Sequence, residues 1–296
     1  MSLNKVKNVF LNADGRLRAG WQLTAAAVLW YAVYIGAAVG LSRLLLSLFA
    51  GWGVTNANIA LAPNWVRFLA GYQVQLINAA AALICAAAAY PLARMYRVKK
   101  QGAISDVCIS FGIGVAAAMV LMVMFLVSDS LRVTSGVPVF NADMAAAFVF
   151  CTVTAVMEGT FVFGYVRAMT SAHAGRIFGH LLSAAMFLLI SLPGIQNFMG
   201  AVNALLVGMV LSLTAERAGN GACIALRTGW LWGVSALAGF PGSSGMYTMY
   251  SVSEEFFTGG TYGPEAGAAV GIICLAITVF AFREELKLLI AKLKKA

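Results

Sequence analysis

Few residues in this chain could do chemistry. It holds 11 Asp and Glu, two His and five Cys among 296 residues. Glu158, in the stretch AVMEGTFVFG, stands out because it sits inside a long apolar run. An ionisable group at membrane depth costs about 2.5 to 3.5 kcal/mol on insertion scales, which makes it a functional candidate by default. Two readings of Glu158 stand side by side. It is either a carboxylate that serves a polar cavity, or a protonated structural group bonded to a neighbouring helix or to Thr154 one turn earlier. His180 and Thr154 are further candidates for a polar cavity, with an interfacial or hydrogen-bonded role as the plainer reading of His180. Arg227 reads as a cytoplasmic-end residue whose head snorkels to the interface. Gly263, Gly267 and Gly271 form a small-xxx-small row that reads as close helix packing, with a homodimer as one outcome.

Metal and disulfide chemistry have little support. Cys85, Cys108, Cys151, Cys223 and Cys274 are scattered and none forms a C-x-x-C pair. They read as small apolar fillers. With only His173 and His180, one chain cannot build an all-histidine metal site. No metal and no cofactor is expected.

The elements that must position Glu158 follow from composition. Hydrophobic residues make up 61% of the chain and charged residues 10%, against about 25% charged in an ordinary soluble domain. This excludes a soluble domain, a disordered chain and a disulfide scaffold, and predicts a multi-pass all-α membrane protein. Eight spans are expected, near Trp21–Leu41, Phe68–Ala89, Ile109–Val127, Asp143–Val166, Ile177–Leu192, Phe198–Leu213, Gly221–Gly239 and Glu265–Phe282. One transmembrane domain, 21–282, thus lies between a basic N-terminal segment, 1–20, and a tail, 283–296. The first apolar run is too long for a cleavable signal peptide and reads as a retained span.

The net charge of +9 is unevenly distributed. The N-terminal segment, the loops after spans two, four and six, and the tail hold 17 of the 20 Lys and Arg. By the positive-inside rule both termini face the cytoplasm of a cell-membrane protein, and the charge needs no nucleic-acid partner. The tail REELKLLIAKLKKA reads as a basic amphipathic helix resting on anionic headgroups, with partner binding as the minor alternative. The segment Pro241–Pro264 reads as a non-cytoplasmic loop or re-entrant segment.

Spacing adds a geometric expectation. A turn between spans four and five falls in Ser171–Gly175, so Glu158 and Ser191 are equidistant from it in sequence. In an antiparallel hairpin both would lie about 25 Å from the turn at 1.5 Å per residue. His180, Ala184, Phe187 and Ser191 share one face of the returning helix.

Several stretches together resemble the CPBP family, which comprises CAAX prenyl endopeptidases and the Abi-type bacteriocin-processing and self-immunity membrane proteins. Gly15–Leu23 (GRLRAGWQL) resembles the family's approach to its first helix. Met157–Val166 (MEGTFVFGYV) is similar to its E-E-x-x-x-R-G motif. Met186–Pro193 (MFLLISLP) is similar to F-x-x-x-H followed by Leu-Pro. Leu226–Trp232 (LRTGWLW) resembles the approach to H-x-x-x-N, and Thr258–Glu265 (TGGTYGPE) a segment beyond it. The resemblance implies a CPBP-like helical core over about 143–282. It also implies a metal-independent, glutamate-dependent site that activates water and stabilises an oxyanion.

Position by position, the catalytic set is depleted. Glu158 matches the first glutamate. Gly159 stands for the second and Phe163 for the arginine. Ser191 stands for the first histidine, Ala238 for the second, and Gly242 for the asparagine. Each lost oxyanion donor typically costs 10² to 10³ in rate. Removing both members of a buried ion pair, as at Gly159 and Phe163, can be neutral for folding. The resemblance therefore implies a pseudoprotease that binds a peptide, lipid or membrane-protein partner. An active endopeptidase using Glu158 in an altered site is the alternative. A small-molecule transporter ranks third, since no internal repeat and no chain of intramembrane charges is read.

Overall fold

The computed structural model describes residues 19–54, 59–96, 103–136, 142–241, 245–252 and 255–283. The amphipathic-tail reading, the basic residues 97–100 and the position Gly242 lie outside them. In chain order the main elements are α1 (Ala19–Gly51), α2 (Asn64–Gly71), α3 (Gln73–Met95), α4 (Ile104–Val127), β1 (Leu131–Gly136) and α5 (Ala142–Ala174). Then come α6 (Arg176–Ser191), α7 (Phe198–Arg217), α8 (220–238), β2 (Tyr247–Ser251), α9 (Glu255–Thr258) and α10 (Ala268–Ala281).

Six helices are long and apolar enough to cross a membrane: α1, α3, α4, α5, α6 with its following turn, and α7. The architecture is all-α and membrane-like. Two further helical stretches, α8 and the 14-residue α10, complete the bundle. Some expected boundaries move. The eighth stretch begins as helix at Ala268, not at Glu265, which lies in a 3-10 turn, Pro264–Ala266. The segment expected to be a loop or re-entrant segment carries β2, which pairs antiparallel with β1 from Leu131↔Ser251 to Gly136↔Tyr247.

Two features of the helices matter for the site. The first is a difference in length. α5 has 33 residues and α6 has 16, or about 50 and 24 Å at 1.5 Å per residue. α6 stops early because Pro193 and Gly194 follow it in a 3-10 turn, Leu192–Gly194; proline disfavours helix in the residue before it and supplies no N–H. The α6–α7 connection therefore sits about half-way along α5. The second feature is the wide turn found in both α5 and α8, π-helical over Gly159–Val166 and Gly233–Ala238. Such turns are rare and recur at functional sites.

The packing around α8 is backbone-close. A Cβ on Gly229 would lie 2.3 Å from the Phe111 carbonyl oxygen, and one on Gly114 would lie 2.3 Å from that of Leu226. Only glycine allows α4 and α8 to cross there. One apolar cluster centres on the wide turn of α5, with Phe161, Val162, Phe163 and Val166 against Trp30, Cys85 and Phe187. A second holds Leu121, Phe125, Ala238, Phe240 and Met249.

The chain has two ends. Tyr96 Oη donates to Gln22 Oε1 at 3.3 Å, the Tyr96 and His173 rings lie 6.0 Å apart, and those of His180 and Phe282 5.4 Å apart. These residues mark the end where α1 starts and α10 stops. The opposite end carries the β1–β2 ladder and the connections 192–197 and 259–267.

Candidate functional site

The site is a cavity of about 340 Å³ near that opposite end. Its polar lining comprises Glu158, Ser191, Gln196, Asn203, Arg227, Tyr262 and Glu265, and its apolar lining includes Phe187, Ile190, Ile195, Ala204 and Val207. Glu158 comes from the middle of α5, where its α-helical part gives way to the wide turn. Ser191 ends α6. The early stop of α6 leaves the space beside Glu158 unfilled.

Arg227 organises the charges. Its Nε donates to Glu158 Oε2 at 3.0 Å and its Nη1 to Glu265 Oε1 at 2.6 Å. Trp230, one turn along α8, donates its indole N–H to the same Glu265 oxygen at 2.6 Å. The guanidinium carbon lies 5.2 Å from the centre of the Phe187 ring, close enough for a cation–π contact. Arg227 is 7% exposed and Glu158 6%.

Glu265 reaches Arg227 because α7 pins its segment. Asn203 Nδ2 donates to the carbonyls of Glu265 (2.8 Å) and Gly267 (2.7 Å), and Asn197 Nδ2 to that of Ala266 (3.2 Å). Asn197 also caps α7, accepting from Gly200 N at 2.7 Å, the usual service of an N-cap side chain.

Four sequence readings change here. Arg227 does not snorkel; it is buried in an ion-paired cluster, because it lies well inside α8 and faces Glu158. The bundle thus contains a buried charged cluster that the sequence reading missed. Thr154 does not line the cavity; among the described residues the bonding partner of Glu158 is Arg227 on another helix. The glycine row is not one helix face. Gly263 has φ +82, Gly267 precedes α10, and only Gly271 is helical. A Cβ on Gly267 would strike the backbone of residues 257–259, and one on Gly271 would lie 2.5 Å from Asn203 Oδ1. These close approaches are within the chain, so they carry no dimer.

The remaining candidates scatter. His180 does not line the cavity. It is fully buried at the other end, with Nδ1 2.7 Å from Ser212 Oγ and Nε2 3.2 Å from Glu216 Oε2. Arg176 Nε donates to both Glu216 oxygens at 2.9 and 3.0 Å, and Ser183 Oγ lies 2.9 Å from Ser212 Oγ. The carboxylate takes the Nε2 proton and leaves Nδ1 to accept from Ser212, a tautomer set by the partners. Ala238 is buried in the cluster around Phe125 and Phe240, away from Glu158. Gly159 is filled over by Ile224, whose side chain a Cβ would meet at 2.3 Å. Phe163 packs on Phe187 with ring centres 5.8 Å apart. The five cysteines are free thiols, and among the described residues no three His, Cys, Asp or Glu are grouped to hold a metal.

Chemically, the cavity offers two carboxylates, one guanidinium already paired, and hydroxyl and amide groups around an apolar wall. It can bind a small amphipathic group. Comparison with protein-family models, curated proteins and solved structures returned no match.

Proposed function

We propose that this protein is a non-catalytic membrane binding protein on a CPBP-like scaffold, taking a peptide, lipid or membrane-protein partner. The observation that carries this is an open cavity around Glu158 that lacks the rest of a hydrolytic centre. Glu158 gives one oxygen to Arg227. Among the described residues Ser191 is the only other matched motif position lining the cavity, and Ala238 is packed in apolar surroundings elsewhere. A general base needs a reachable water and a tuned partner, and an oxyanion needs preorganised donors. Arg227 already gives its Nε and Nη1 to the two carboxylates.

In this reading α8 and α10 are the seventh and eighth spans, and both termini face the cytoplasm. The cavity then opens toward the non-cytoplasmic side. The family resemblance rests on its five sequence stretches. It gains a chemical rationale from the apolar packing at Gly159 and Phe163, where the charged pair of the motif would have stood.

The alternative is an endopeptidase using Glu158, favoured by the shared cavity of Glu158 and Ser191. Two measurements test the proposal. Purified protein in lipid nanodiscs should leave a prenylated peptide intact, and a map of that sample should show lipid or peptide density beside Glu158. Cleavage that Glu158→Gln abolishes would establish the enzyme instead. A cavity without density would sink the binding role.

A further inference from the structure

The charge of the cavity points to its ligand. Among the described residues, its acidic and basic lining groups are Glu158, Glu265 and Arg227, so with both carboxylates ionised the wall carries a net charge of −1. Leaving an uncompensated charge in a low-dielectric site is costly. Arg227 already has its Nε and Nη1 on the two carboxylates and its face over Phe187, and an anion drawn to its remaining N–H groups would add to the negative charge of those carboxylates. The carboxylates are less fully engaged. Glu158 is more than nine-tenths buried. Its Oε2 takes Arg227, the one hydrogen bond of this carboxylate among the described residues, which leaves Oε1 to the cavity. Both donors to Glu265 converge on its Oε1, and its side chain is 43% exposed. Two acceptor oxygens are thus left beside one apolar wall of Ile190, Ile195 and Val207.

We infer that this cavity binds a primary ammonium group carried on a short carbon chain, held between Glu158 and Glu265. The inference deepens the binding reading above and rests on it. An ammonium offers three N–H donors to carboxylate oxygens, with charge-assisted strength. A quaternary ammonium has no N–H, and it would need several open aromatic faces; of the two aromatic lining residues Phe187 is already covered by Arg227, which leaves Tyr262 alone. The volume of about 340 Å³ lies near the lower end of ordinary ligand pockets, roughly 300 to 1,000 Å³. Two sources present this chemistry: a free amine and the ethanolamine headgroup of a lipid.

The test uses the full chain in phosphatidylcholine nanodiscs, titrated with hexylamine, hexanol and hexanoate. Empty nanodiscs set the partition background. The expected result is at least tenfold tighter apparent binding of hexylamine than of hexanol, with hexanoate weakest. Glu265→Gln should remove most of that preference, and Glu158→Gln the same if it folds. The comparison of the three probes on the unaltered protein needs no variant. In phosphatidylethanolamine nanodiscs, weaker apparent hexylamine binding identifies the headgroup as the occupant, and unchanged binding identifies a free amine. Equal binding of amine and alcohol overturns the inference, as a proton then neutralises the cavity. Preference for hexanoate also overturns it. Either result leaves the binding role standing if the nanodisc map shows density at Glu158, so the two failures are separable.

Discussion

Glu158 and His180 are both polar side chains more than nine-tenths buried in helices, yet Glu158 lines the cavity and His180 does not. At His180 the geometry closes. Both ring nitrogens are bonded, to Ser212 and Glu216, and Arg176 completes the carboxylate. The set contains a serine, a histidine and a glutamate, the residue types of a hydrolytic triad. Ser212 is fully buried, so no substrate reaches it. At Glu158 the geometry stays open. One carboxylate oxygen is bound and the other is left beside a cavity. A satisfied buried network fixes helices in place; an incompletely satisfied one at a cavity is where a ligand completes the bonding. Residue type alone would have ranked these two regions the wrong way round.

The sharpest way to break this contrast is to remove Arg227. Arg227→Leu strands Glu158 beside Glu265, and breaking a buried pair this way costs about 3 to 5 kcal/mol. Unfolding of the detergent-solubilised protein should show that loss, and the double variant Glu158→Gln with Arg227→Leu should recover part of it. If the double variant is no more stable than Arg227→Leu alone, the two residues are not coupled and the cluster is misassigned.

The helix crossing that holds Arg227 in place is the next target. Gly229→Ala puts a methyl group 2.3 Å from the Phe111 carbonyl oxygen, and forced overpacking costs about 1 to 3 kcal/mol. The expected outcome is lower stability together with weakened cavity binding, since α8 must move off α4. An unchanged melting temperature would show that the two helices do not meet there.

His180→Ala separates the two regions directly. It leaves Ser212 and Glu216 short of a partner, and a buried group left unsatisfied costs about 1 to 3 kcal/mol. Stability should fall while ligand binding at the cavity stays at its unaltered value. Loss of binding with His180→Ala would mean the two clusters are coupled through α6.

How much of this was legible follows from particular residues. Glu158 announced itself as a charge inside an apolar run. Counting from the turn at Gly175 brought Ser191 to its depth, and the structure puts both on one cavity. Arg227 was missed because it was counted with the basic loops. The signal was present: Gly239, the first break after α8, lies twelve residues beyond Arg227, or about 18 Å along a helix. Glu265 was hidden because it belongs to a turn, and its position depends on Asn197 and Asn203, more than sixty residues earlier in sequence. The β1–β2 ladder was invisible for the same reason. Contacts set by helix period are readable locally, whereas those set by a loop folding back are not.

The smallest expected effect lies at an ion pair of the same chemistry placed in the open. Asp129 and Arg132 approach to 2.8 Å with side chains 68% and 53% exposed. The Arg132 guanidinium bonded to Asp129 holds its carboxyl below the usual carboxylate range. A depressed folded-state pKa stabilises only above the unfolded-state value, and that contribution disappears as pH falls through the folded-state value. Water screens this pair, and exposed pairs contribute little. Asp129 also has φ +54, a left-handed conformation that Asn tolerates well. Asp129→Asn should therefore leave stability at neutral pH unchanged within error, and should flatten only the acidic limb of the stability profile. A loss comparable to that of Arg227→Leu would show that burial is not what separates these two arginine–carboxylate pairs.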